Sequence, residues 1–95
     1  MTMQTVPAAP VDAVLIHRKN CFLHALKRAR ARRIALSPAE AESLQDSLRR
    51  MEPVFASGRS RYRIPVRHRG VWLIAIYDVR LHVLVTVWRD TRRVR

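Results

Sequence analysis

GRSRYRIPVRHRGVWLIAIYD, residues 58–78, is the stretch on which the fold turns. Tyr62, Ile64 and Val66 alternate with Arg61, Arg63 and Arg67, a period of two that predicts a strand with one buried and one cationic face. Pro65 cannot donate to a ladder, so that strand belongs at a sheet edge. His68-Arg69-Gly70 supplies a turn. Val71 to Tyr77 is then continuously apolar, as expected of a central strand covered on both faces. After a second turn from Asp78 to Leu81, residues 82–88 make a third strand rich in β-branched residues. Alternation along it sets Val83, Val85 and Val87 on one face, and His82, Leu84, Thr86 and Trp88 on the other.

Upstream of Gly58 the period is helical. From Val11 to about Ile34 there is no Gly or Pro, and Leu15, Phe22, Leu26 and Ala29 recur as one buried stripe. Ser37-Pro38-Ala39-Glu40 reads as a capping box with proline in the first turn. Ala41, Leu44, Leu48 and Met51 follow at helical spacing until Pro53. The expectation is an α+β fold with two N-terminal helices on one face of a three-stranded antiparallel sheet, a fourth strand being left open. Residues 1–10 are expected as a flexible arm, 11–89 as a single domain and 90–95 as a basic tail.

Charge is the second theme. Seventeen arginines and two lysines face seven acids, a net +12 on 95 residues. Such a surplus calls for a polyanion or an acidic partner. Guanidinium suits phosphate better than ammonium does, because its planar fork donates two parallel hydrogen bonds. A GC-rich genome would favour arginine codons regardless of function. No apolar run reaches membrane-spanning length, no secretory leader is recognisable, and the lone Cys21 builds no disulfide framework; the expectation is a cytoplasmic protein without membrane contact.

Two constellations stand out. If the valines face the helices, Arg61, Arg63 and Arg67 join His82, Thr86 and Trp88 on the opposite sheet face. Guanidiniums for phosphate, an indole for stacking and a histidine for proton transfer would then meet. The alternative is a solvated face whose arginines only keep an edge strand from pairing. On the first helix, His17, Cys21, His24 and Arg28 share a stripe, better read as exposed surface than as metal ligands. The Lys27–Arg33 run, with Lys27, Arg28, Arg30, Arg32 and Arg33, suits unspecific phosphate attraction. Arg59, Arg69 and Arg89 extend the basic set along the sheet. There is no phosphate-cradling glycine loop, no paired carboxylates and no zinc-type cysteine spacing, so neither metal nor cofactor is expected.

The basic helical half followed by GRSRYRIPV, VWLIAIYD and HVLVTVWR resembles the small RelE-like ribonuclease toxins and is similar to the wider barnase, EndoU and colicin-type group. The same texture resembles small phage and mobile-element proteins. The first resemblance implies metal-independent RNA cleavage, with Arg61 and Arg63 on the scissile phosphate, Thr86 beside it, and His82 or His24 as acid or base. It favours RNA over DNA and implies an acidic antitoxin or host protein as partner. Two other readings use the same charge: a non-catalytic nucleic-acid-binding module, and a basic inhibitor of an acidic host protein. The edge strand leaves homodimerisation through the sheet open.

Overall fold

A computed structural model describes residues 8–55 and 58–92, with side chains from residue 13 onward. Helix α1 spans Ala8–Ala31 and helix α2 Pro38–Arg50, followed by a 3₁₀ turn at Glu52–Val54. Strands β1 (Arg61–His68), β2 (Val71–Asp78) and β3 (Val83–Arg89) form an antiparallel sheet in the order β1-β2-β3. The architecture is α+β, with α1 packed along β3. Among the described residues no helix is long and apolar enough to cross a membrane.

Helix α1 begins three residues earlier than expected. Pro10 lies in its first turn, where the backbone N–H has no intrahelical acceptor and is not missed. The rest of the arm, residues 1–7, lies outside the described residues. So do residues 93–95 of the tail.

The buried stripe of α1 also differs. Ala25 and Ala29 are the fully buried positions, Phe22 and Leu26 are half-buried, and Leu15 is 54% exposed. Alanines let the helix backbone approach the sheet closely. Twenty-four residues make a helix of about 36 Å, against about 23 Å for the seven-residue β3. The N-terminal turns therefore overrun the sheet, and Val14, Leu15 and Ile16 stay in solvent.

Helix α1 ends in a Schellman motif. Ile34 N donates to Ala29 O and Arg33 N to Arg30 O, with Arg33 left-handed at φ 57°. Glycine is the usual residue there; an arginine carries the Cβ penalty. Helix α2 has the expected capping box, Glu40 N on Ser37 Oγ at 3.1 Å and Ser37 N on Glu40 Oε1 at 2.9 Å. Its apolar stripe stops sooner than predicted. Met51 is the exposed C-cap residue, because the chain turns there into the 3₁₀ segment.

The sheet register runs Tyr62↔Tyr77, Ile64↔Ala75 and Val66↔Leu73 on the helix-facing side, and Arg63↔Ile76, Pro65↔Ile74 and Arg67↔Trp72 on the other. Arg69 at φ 51° and Gly70 at φ 78° make the two-residue hairpin loop, both left-handed as a type I′ turn requires. Val79 N bonds Ser60 O, so the residues of β1 that exchange hydrogen bonds with β2 are the even-numbered ones. Pro65 consequently points its missing donor outward, and costs the ladder nothing.

A bulge corrects the reading of β3. Val87 faces Ala75, but Leu84 faces Tyr77, and Val85 is the extra residue between them. Leu84 therefore joins Val87, Ala25 and Ala29 in the core instead of the outer face, and the continuous valine face does not exist. Period-two alternation cannot anticipate a one-residue insertion.

The two sheet edges are treated differently. On β3, Leu84 N donates to Gln45 Oε1 (2.8 Å), Val87 O accepts from Arg32 Nη1 (2.8 Å), and His82 O accepts from the Arg18 guanidinium. Helical side chains thus close that edge. On β1 the odd-numbered arginines and Pro65 occupy the outward-facing positions.

Candidate nucleic-acid interface

The sheet face turned away from the helices is built by register. Odd positions of β1 supply Arg61, Arg63 and Arg67; even positions of β2 supply Trp72, Ile74 and Ile76; β3 adds Thr86 opposite Ile76 and Trp88 opposite Ile74. Among the described residues no helix covers this face, yet Ile74 is only 9% exposed. It is paired between Pro65 and Trp88 and shares a cleft with Arg63, and long arginine stems and indole rings can shield apolar surface while their polar ends stay wet.

The arginines and indoles are paired. The Arg63 guanidinium lies 5.6 Å from the Trp88 ring centroid, and that of Arg67 lies 5.8 Å from Trp72. Arg32 reaches round the β3 edge, to 5.9 Å from the same Trp88 ring, while its Nη1 donates to Thr86 Oγ1 at 2.8 Å. Each stack orients a flat cation by the ring's quadrupole. Arg61 behaves otherwise: its Nε donates to Asp78 Oδ2 at 3.1 Å. Burial works against charge on Asp78, but the backbone N–H groups of Leu81 and Arg80, with the Arg61 guanidinium, outweigh it and hold the carboxyl below its ordinary pKa. A cleft of about 500 Å³ opens beside the stacks, lined by Ile74, Pro65 and Trp88 together with Arg63 and Arg92.

The sequence-predicted residues divide among several places. Arg63, Arg67 and Trp88 form the face as expected, with Arg61 at its end. Thr86 is on the same side but is 8% exposed and engaged by Arg32. His82 does not join them. It sits left-handed at φ 56°, and its Nδ1 lies 2.6 Å from Glu52 Oε2, the oxygen that also accepts the Tyr77 hydroxyl of the core. Burial raises the Glu52 pKa, but those two hydrogen bonds prevail and keep it an anion. The bulge that sends Leu84 inward also takes His82 out of the parity of Thr86 and Trp88.

Other basic residues have structural duties. Arg89 donates to Arg32 O (3.2 Å) and Arg33 O (2.7 Å), placing a cation at the C-terminus of α1 where the helix dipole favours it. Arg69 forms a close pair with Glu40, at 2.9 Å from Nη2. Lys27, Arg28, Arg30 and Arg33 are exposed around the end of α1, His24 is exposed further back on the same helix, and Arg59 is exposed ahead of β1.

The remaining histidines bond elsewhere, His17 Nε2 at 4.0 Å from Cys21 Sγ and His68 Nε2 at 2.7 Å from Ala35 O. The residues that sequence reasoning missed are Trp72, Ile74 and Glu52. Trp72 and Ile74 sit in an unbroken apolar run, whose alternation is invisible until pairing with β1 assigns the faces. No protein-family model matches this chain, and comparison with curated proteins and with solved structures returns no match.

Proposed function

We propose that the open sheet face binds single-stranded nucleic acid, RNA foremost. The observation that carries this reading is that both tryptophans of the chain lie on that face, each beneath a guanidinium. Indole and guanidinium planes are the two surfaces on which unpaired bases stack, and the cations answer the phosphates between them. A duplex hides its base faces, so such a surface suits single strands. The preference for RNA rests on the resemblance to RelE-like ribonucleases.

Intrinsic fluorescence tests it directly, since every tryptophan is at the site. Titration with an RNA oligonucleotide is expected to quench emission in step with binding measured by anisotropy, duplex DNA much less so. Saturable binding with unchanged emission would place the nucleic acid elsewhere.

Cleavage is the second reading. It would have Arg61 and Arg63 stabilise charge on a phosphate attacked by a 2′-hydroxyl, with His82 or His24 moving the proton. The hydrogen bonds of His82 draw it toward Glu52, so binding is the better-supported half. Labelled RNA incubated in EDTA with the wild type, Arg61→Ala, His82→Ala and Thr86→Ala decides the point: no wild-type cleavage, or equal cleavage by all four, removes the enzymatic reading.

A further inference from the structure

On the opposite side of the molecule, α1, the connector after it and the start of α2 enclose a groove of about 770 Å³. Its floor is apolar: Leu23, Leu26, Ile34, Leu36 and Pro38. Leu23 is 49% exposed, and Ile16, seven residues earlier on the same helical stripe, is 61% exposed. The rim is cationic, with Lys27, Arg30 and Arg33. Among the described residues none of these three meets a carboxylate, whereas Arg61 and Arg69 do.

Arg33 adds an independent sign. Among the described residues three non-glycine positions are left-handed: Arg33, Arg69 and His82. The side chains of Arg69 and His82 are held by Glu40 and Glu52, so their backbone cost is repaid inside the fold. Arg33 has no internal side-chain bond among the described residues, and it stands on the groove rim. Strain retained where glycine would be easier is a mark of function.

We propose that this groove docks an acidic amphipathic helix of a partner protein. From Ile16 to Arg30 the stripe is about 21 Å long, the length of a four-turn helix. An apolar channel accepts leucine-type anchors at i, i+4 and i+7 spacing, and the unpaired cations select glutamates or aspartates beside them. Phosphodiester backbone would match the rim but leave the leucine floor wet. The groove lies between the helices and the indole face on the sheet, with Arg32 at the end of α1 reaching Trp88, so partner and nucleic acid have separate but neighbouring seats.

The test uses the full chain and two probes. One is a fluorescein-labelled helical peptide of about four turns with leucines at those spacings and glutamates between them, beside a scrambled peptide of equal composition. The other is the RNA oligonucleotide. Leu23→Asp and the pair Lys27→Glu with Arg30→Glu are expected to weaken peptide binding by more than about tenfold. Arg63→Ala with Arg67→Ala is expected to leave peptide binding intact while weakening RNA.

Leu23 is half-exposed, so its replacement leaves the fold standing, and unchanged thermal unfolding checks this. Equal binding of the scrambled peptide, no binding of the designed one, or loss of RNA instead of peptide in the groove variants would each overturn the proposal. So would a concentration-dependent dimer abolished by Leu23→Asp, which would assign the groove to a second copy. RNA failing to bind wild type while the peptide binds as expected would refute the sheet reading alone.

Discussion

Replacing Arg63 and Arg67 together by alanine separates electrostatics from stacking on the open face. Among the described residues, the guanidiniums of Arg32, Arg61, Arg63 and Arg67 border it from the end of α1 and from β1. Taking one phosphate per guanidinium, a single strand should bind with a log–log salt slope of about −2.8, since each neutralised phosphate contributes about 0.7. Between about 50 and 200 mM salt that slope costs roughly 50-fold in affinity. The double variant should keep a slope near −1.4, and lose only about sevenfold over the same range.

Trp88→Ala should act in the other dimension. Stacking of one base contributes about 1–3 kcal/mol without counterion release, so affinity falls while the slope stays. The assay is fluorescence anisotropy of a labelled RNA oligonucleotide at four or more salt concentrations, with thermal unfolding as a control. Both arginines are exposed, and each ring contact given up is worth only about 0.5–1 kcal/mol at such sites, so the variant stays folded. An unchanged slope in the arginine variant would refute the reasoning, because the phosphates would then be held by other residues.

Three further outcomes test the account of stability. Arg33→Gly should relieve a left-handed Cβ penalty of about 1 kcal/mol and raise Tm by about 4–8 °C, whereas Arg33→Ala, which removes the charge but keeps Cβ, should not; equal shifts would mean that charge repulsion is the cause. Glu52→Ala should cost about 1–3 kcal/mol in urea unfolding by leaving the buried Tyr77 hydroxyl without its acceptor, and Tyr77→Phe should cost less in that background than alone; strict additivity would deny the bond. Glu40 is held at a pKa of about 2, first by the Ser37 backbone N–H and then, against some desolvation, by Arg69 and the Ser37 hydroxyl. A depressed carboxylate stabilises above its unfolded pKa and loses that contribution as pH falls from about 4.5 toward 2, so the Tm gap between wild type and Glu40→Gln should close across that window; a constant gap would contradict it.

The elements themselves were legible because each carries a local cause. The capping box started α2, the change from period 3.6 to period 2 located β1, and Arg69-Gly70 bent the hairpin. Pro65 announced an edge strand, and the register puts it where no donor is needed. Half of the candidate face was legible for the same reason: strict alternation in β1 keeps Arg61, Arg63 and Arg67 together.

What the sequence alone determined is the order of elements, the cationic surplus and the cationic side of β1, all of which are read from composition or from neighbours a few residues apart. Tertiary structure decided the rest. The bulge at Val85 turned Leu84 inward and separated His82 from Thr86, since a single extra residue reverses the relative face assignment of the residues on its two sides. Pairing with β1 revealed Trp72 as the seat of Arg67, which no apolar run could disclose. The length mismatch between α1 and β3 left Leu15 in solvent, though its spacing from Phe22, Leu26 and Ala29 marked a buried stripe. And only folding brought Arg32 to Trp88 from the end of α1, because that contact joins residues that share no local period at all.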